Sequence, residues 1–365
     1  MARSDAESLE LGEPEGAFRR IEEWLRRRGF FEPSGEGLVA DLFLGYGLSQ
    51  TIRRQATPPP PEPCGLPLAA CMVRPRDESF VTDRHKAFEV GGWEATWGEA
   101  EYREAVERVR AAIAEGDVYQ VNVVQHLSAA CPGELDTIAG SLAAALAPLR
   151  PAHATPYVGD GWAVVSASPE LFLARRGQRV WTMPIKGTRP LGDAADLAES
   201  EKDAAEHMMI VDLERNDLSR VCRAGTVHWP ELMATRELAG VEHMVSTVEG
   251  TLHDGVGLAD ILEATFPGGS VTGAPKIAAV DLIAELEPVG RGASMGALGR
   301  VYGNGDLDLA LTIRTFAVVD GRMHLWVGGG VVWDSDPAAE VEESWTKARP
   351  LLEAIGAISR LELAR

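Results

Sequence analysis

A chain of 365 residues with 45% hydrophobic content is long enough for one large or two ordinary domains around a sizeable core. Its formal net charge of -20 repels nucleic-acid phosphates and anionic membrane surfaces, so an anionic substrate would need local positive charge or a metal in its site. The cysteines, Cys64, Cys71, Cys131 and Cys222, show no Cys-x-x-Cys spacing, no apolar run reaches the ~18 residues of a membrane span, and residues 1–15 carry no signal-peptide core; the expectation is a soluble, cytoplasmic protein with reduced thiols.

Residues 1–14 read as a loose tail. A helix follows, with Phe18, Ile21 and Leu25 at helical spacing and Gly29 as its stop. The tract at residues 57–63 (TPPPPEP) is too proline-rich for a helix or central strand and reads as a rigid loop. The N-terminal lobe is taken as residues 15–96 and the remainder follows it. Glu99–Glu115 is an amphipathic helix with Tyr102, Val106, Val109 and Ile113 on one face and Gly116 at its end. A strand over 118–127 comes next. Later, Asn304-Gly305 joins strands around Val301 and over 309–316, and Asp320-Gly321 joins that strand to 323–333; both dipeptides supply the positive φ of tight hairpins. Consecutive antiparallel strands with helices inserted elsewhere predict an α+β fold rather than a doubly wound parallel one. There is no internal repeat.

Five constellations could carry chemistry. A helix over 201–214, with Ala204, Met208 and Val211 as its apolar stripe, places Asp203 and Glu206 on one face. A second helix starts at Asp336-Pro337, buries Val341, Trp345, Ala348 and Leu352, and presents Glu340 and Glu343, with Lys347 one turn on. Two carboxylate pairs are either solvated faces or an all-oxygen set suited to Mg²⁺. A strand over 182–190 (TMPIKGTRP) holds Lys186 among apolar neighbours, where it either snorkels to the surface or occupies a site. A lysine desolvated beside other cations becomes a nucleophile. Residues 266–276 (FPGGSVTGAPK) form a glycine-rich approach to a helix, an anion site in principle but not a Walker loop. Gly328, Gly329 and Gly330 interrupt a strand, which weakens packing but permits close backbone approach to a ligand, and Arg314 lies across the hairpin from them.

Together these segments resemble the chorismate-binding enzymes, the family that holds anthranilate, aminodeoxychorismate, isochorismate and salicylate synthases. The resemblance runs from about Trp97 to Gly356 through DVYQVN, SASPELF, PIKGTRP, EKDAAEHMMIVDLERNDLSR, VEHMVS, FPGGSVTGAPK, IRT and GGGVVWDSDPAAEVEESWTKA. It makes 97–356 the catalytic region, leaves 357–365 as a C-terminal tail, and implies two mostly antiparallel sheets packed as a sandwich with helices outside. It also implies Mg²⁺ on Glu206 and Glu343, with Asp203 and Glu340 as adjacent carboxylates; Asp203 is shorter than the family's usual glutamate. The ring carboxylate of chorismate would sit on the metal, and the pyruvyl carboxylate would meet Arg314 and the backbone of Gly328, Gly329 and Gly330, with Lys347 and Ser270 nearby. Glu170 matches the general acid for the C4 hydroxyl, and His243 lies near that hydroxyl. Two usual aromatic positions hold Ser294 and Arg300 instead.

The branch follows from two positions. Gln120 stands where water-adding members carry a lysine, which implies ammonia as nucleophile. Lys186 stands where anthranilate synthases carry alanine, which implies amination at C4 to aminodeoxychorismate, as in the synthase subunits that serve p-aminobenzoate and folate synthesis. A glutamine amidotransferase subunit would supply ammonia and a lyase would take the product. The rival is amination at C2, as in anthranilate synthase component I.

Overall fold

The structure, a computed structural model, describes residues 8–77, 87–190, 201–238 and 241–356. Among them the strands form two antiparallel sheets, of ten and seven strands. The larger runs in the order Ser8–Leu11, Ala69–Pro75, Leu38–Leu44, Ala297–Tyr302, Leu307–Leu311, Leu171–Arg176, Arg179–Met183, Val241–Thr251 and Ile185–Pro190, with His228–Leu238 also paired to Val241–Thr251. The smaller is built on the long pair Gln120–Ala130 and Arg322–Val331, flanked by Thr315–Val319, Trp162–Ser166 and Tyr157–Val158 on one side and Gly273–Ala274 on the other, with Trp93–Ala95 also paired to Gln120–Ala130.

Period-two burial explains the layers. Along Thr315–Val319, Ala317 and Val319 join the core cluster shared with the larger sheet, while Phe316 and Val318 face Ile138 and Leu142 of helix Leu135–Leu146 and Leu351 and Leu352 of helix Pro337–Ala354. Phe43 of the larger sheet meets Trp162 and Tyr157 of the smaller at ring-centroid distances of 5.6 and 6.5 Å. The α+β sandwich with outer helices is therefore as the sequence predicts. No helix among the described residues is long and apolar enough to cross a membrane, and the four cysteines are free.

Local signals hold where they are local. Helix Glu99–Glu115 buries Tyr102, Val106 and Val109 and ends at Gly116 with φ 85°. Asp336 caps helix Pro337–Ala354 by accepting from the N–H groups of Ala338 and Ala339. Asp320 and Gly321 both have positive φ, as a two-residue hairpin requires.

Three expectations need correction. Ser8–Leu11, placed in a tail, pairs with Ala69–Pro75 as an edge strand. The strand expected over 309–316 is two strands: Leu307–Leu311 belongs to the larger sheet and Thr315–Val319 to the smaller, and the chain changes sheets at Arg314, whose φ is 50°. Helix Glu201–Ser219 runs a turn beyond residue 214 and exposes Met208; His207 and Ile210 turn inward instead, because Ser246 bonds the His207 ring.

Candidate active site

The site gathers around the crossing of strand and helix. The strand expected over 182–190 is interrupted at Pro184, and both segments, Arg179–Met183 and Ile185–Pro190, lie along one edge of Val241–Thr251. The pairing register is continuous from Thr182 to Lys186 and then slips by one at Gly187, whose φ is 62°. Such a glycine bulge re-aims the neighbouring side chain. Lys186 reaches Glu206 of helix Glu201–Ser219, with Nζ 2.7 Å from Oε1. Gln120, from the smaller sheet, donates its Nε2 to the same oxygen at 2.8 Å. Burial disfavours charge on Glu206, but Lys186 and then Lys347 outweigh it and hold its carboxyl below the usual range.

The glycine run lies against carboxylates of both acidic helices. A Cβ at Gly330 would sit 2.1 Å from Gln120 Nε2 and 3.0 Å from Glu206 Oε1. One at Gly329 would sit 3.1 Å from Glu343 Oε1, 3.2 Å from Lys347 Nζ and 3.3 Å from Glu340 Oε2. Lys347, beside Glu343, also acts on Glu206. Lys347 pairs with Glu343 at 2.7 Å and donates to the Gly328 carbonyl at 3.0 Å. Glu340 is buried at the first turn of its helix, and Asp203 is one turn before Glu206.

Glu170 forms a second centre. It is 4% exposed, and its Oε1 accepts from Ser270 Oγ at 2.6 Å. Burial pushes its carboxyl up to about 7, although Ser270, Lys186, the Ile185 N–H and Arg314 all favour its charged form. Arg314 lies on this side, where its charge is felt by Glu170 and by His243. His243 is buried, donates from Nδ1 to the Gly187 carbonyl at 3.1 Å, and is held below the usual histidine range chiefly by burial. A buried carboxylic acid that keeps its proton near neutrality can protonate a leaving hydroxyl, and the lysine beside it is a nucleophile or a counter-charge.

The two replaced aromatic positions do different work. Ser294 Oγ donates to the Thr312 carbonyl at 3.3 Å, and Arg300 donates to Asp41 at 3.0 Å and Thr155 at 2.8 Å. A cavity lined by Tyr46, Glu62, Val280 and Arg291 holds none of the expected site residues. Two participants escaped the sequence reading. Asn122, two residues after Gln120, ties its Nδ2 to the Ser270 carbonyl at 2.7 Å. His207, next to Glu206, donates or accepts at Ser246 Oγ across 2.6 Å and is pushed down to about 4 by burial and Lys186.

The donor set fits Mg²⁺ in kind. That ion takes one or two carboxylates plus water and substrate oxygens, and Glu206 and Glu343 meet the description. No three acidic, histidine or cysteine side chains are preassembled for a metal among the described residues. Each glutamate is paired with a lysine, so a cation taken up here exchanges for an ammonium group.

A family model described as chorismate binding enzyme matches residues 61–353. The chain is 40% identical over 324 residues, 84% of its length, to anthranilate synthase component 1 of Streptomyces coelicolor, and spans 59% of that protein. It is 40% identical over 275 residues, 72% of its length, to aminodeoxychorismate synthase component 1 of Klebsiella aerogenes, again spanning 59% of it. Among solved structures, anthranilate synthase component I of Streptococcus pneumoniae superposes with a TM-score of 0.74 at 27% identity, covering 86% of this chain and 80% of that one. The menaquinone-specific isochorismate synthase of Escherichia coli shares the fold at a TM-score of 0.71 and 17% identity, covering 92% of this chain and 82% of that one.

Proposed function

The chain belongs to the chorismate binding enzymes, and on that premise we propose that it aminates chorismate at C4 to give 4-amino-4-deoxychorismate, the reaction of aminodeoxychorismate synthase component I. The supporting observation is the placement of Lys186. Its amine reaches between Glu206, at 2.7 Å, and the buried acid Glu170, which feels its charge.

On this reading Lys186 attacks C2, the ring double bonds shift, and the C4 hydroxyl leaves as water with the proton of Glu170. Ammonia then attacks C4 and expels the lysine amine, so the net change is chorismate plus ammonia to aminodeoxychorismate plus water. Attack requires the uncharged amine, so Lys186 must leave its ion pair with Glu206 to react. Arg314 meets the pyruvyl carboxylate, and the backbone at Gly328, Gly329 and Gly330 admits the substrate closely. Glu206 and Glu343, with Asp203 and Glu340 beside them, would hold Mg²⁺, which supplies positive charge against the ring carboxylate. His243 stays neutral beside the leaving hydroxyl. Gln120 cannot act as a base toward water, which favours ammonia. None of the cysteines, Cys64, Cys71, Cys131 or Cys222, is an activated thiol, since burial pushes each thiol upward. Ammonia therefore comes from a separate glutaminase subunit, and a lyase aromatises the product toward p-aminobenzoate.

The second reading is anthranilate synthesis, favoured by the match to the Streptomyces coelicolor protein over 84% of this chain. Incubation with chorismate, Mg²⁺ and ammonium, followed by mass analysis, decides between them. A non-aromatic amine that a lyase converts to p-aminobenzoate is expected. Fluorescent anthranilate overturns the C4 reading, and turnover on glutamine alone overturns the separate glutaminase.

A further inference from the structure

One buried cation is not used by the chemistry above. Arg291 is 1% exposed, and its guanidinium lies 4.5 Å from the ring centroid of Tyr46. Its Nε donates to Glu287 Oε2 at 2.8 Å and its Nη2 to Glu287 Oε1 at 2.7 Å. Two further bonds reach beyond that ion pair: Nη1 donates to the Val271 carbonyl at 3.0 Å, and Nη2 to the Asn122 carbonyl at 2.8 Å. One planar group thus spans a strand and a turn from distant parts of the chain. Both ends lead into the site. Val271 follows Ser270, whose hydroxyl donates to Glu170 Oε1 at 2.6 Å. Asn122 stands two residues after Gln120, which holds Glu206, and its partner across the ladder is Gly330. Asn122 adds two parallel ties, from Nδ2 to the Ser270 carbonyl at 2.7 Å and from its N–H to the Thr272 carbonyl at 2.9 Å. The successive carbonyls of Ser270, Val271 and Thr272 are therefore each held by Asn122 or Arg291. Arg291 is itself pinned on both sides: the Gly290 N–H donates to the Pro61 carbonyl at 2.8 Å and the Gly292 N–H to Glu62 at 2.9 Å.

Resting on the reading of Glu170 as the general acid, we propose that Arg291 is a positioning residue for the reaction: its guanidinium, with Asn122 alongside, fixes the Ser270 turn to the strand that carries Gln120, and so sets the hydroxyl that holds Glu170 in register with the Glu206 side of the site. A buried ion pair seldom stabilises a fold more than apolar residues of the same volume would. What a guanidinium does that they cannot is donate in fixed directions to several acceptors at once. A lysine at 291 would keep the charge beside Glu287 but not the fork, so it could not hold both carbonyls. Misplacement by an ångström within a reacting arrangement costs ~10²-fold in rate.

The test follows chorismate consumption at fixed free ammonia, so it does not depend on which product forms, and urea unfolding shows that each variant is folded under assay. Arg291→Lys should lower kcat by ~10–10²-fold and change the KM for chorismate little, as expected when only the transition state feels the loss. In a Ser270→Ala background the same substitution should cost no more than about twofold, because the hydroxyl it positions is gone. Asn122→Ala, which leaves the pair of Arg291 and Glu287 whole, should show the same pattern, and it serves if the lysine variant does not fold. A purely structural role predicts a lower unfolding midpoint with unchanged kcat, or a loss that multiplies in full with that of Ser270→Ala; either result overturns the proposal. Near-normal kcat in Glu170→Gln would instead fault the acid reading on which the proposal rests.

Discussion

The glycine run offers a test in which neighbouring substitutions part ways. At Gly328 an added Cβ would lie 1.9 Å from the Val123 carbonyl oxygen and 2.7 Å from Val124 Cα. Both are backbone atoms of the paired strand, so relief means opening the ladder, and Gly328→Ala should cost at least the ~1–3 kcal/mol typical of overpacking. At Gly330 the first atom met is Gln120 Nε2, at 2.1 Å. That amide can swing aside, and the loss is its bond to Glu206, ~1.5–3 kcal/mol gross for a charged partner, offset by water and by ~0.4–1 kcal/mol from stiffening the unfolded chain. Gly330→Ala should therefore unfold in urea within about 1 kcal/mol of wild type. Its turnover should fall ~10²-fold, the scale of an ångström misplacement in a site. In a Gln120→Ala background the same substitution should cost less, since its first obstacle is gone. A Gly330→Ala protein with near-normal turnover, or a Gly328→Ala protein as stable as wild type, would refute this account of the cradle.

Activity should require Mg²⁺ and vanish in excess chelator, and Glu343→Gln should lose most turnover with an unchanged unfolding midpoint; full activity under chelation contradicts the metal assignment. Chorismate without ammonia should add chorismate less water to the peptide containing Lys186, as read by mass spectrometry, and Lys186→Arg should be inert; no adduct together with an active arginine variant makes Lys186 a counter-charge instead. Glu170 must be protonated to act, and its carboxyl is pushed up to about 7, so at fixed free ammonia kcat/KM should decline as pH rises through that value. Glu170→Gln should remove the decline along with ~10²–10⁴ in rate, and a wild-type profile flat through pH 7 to 9 argues against this role.

The fold was legible where its cause is local. Asp320-Gly321 and the Asp336 cap act through their own backbone, so their sequence signals survive folding unchanged. The chain crossing at Arg314 was not legible. Residues 307–319 read LDLALTIRTFAVV without a glycine or proline, and only a positive φ at an arginine sends the two halves into different sheets. Ser8–Leu11 looked like tail because an edge strand needs only backbone partners, which Ala69–Pro75 supplies from a distance.

At the site, spacing revealed which residues share a face but not what they touch. Asp203, Glu206, Glu340 and Glu343 stood out as pairs by helical geometry, as did Lys347 one turn after Glu343, yet the partner of Glu206, Lys186, comes from a strand. Apolar periodicity also misjudged polarity: it assigned Met208 inward and overlooked His207 and Glu214, which are buried because Ser246 and Thr182 stand ready to bond them. A buried polar group is stable only with a partner, and that partner lies on another strand here. The chemistry of this chain is therefore encoded in two ways. Ligand-bearing residues appear as motifs in one segment, whereas the protonation of those residues depends on convergence of segments far apart in sequence. That is why Glu170 could be found as an acid from its motif, while the reason it can keep its proton, burial that outweighs the pull of Ser270, Lys186 and Arg314, exists only in the folded chain.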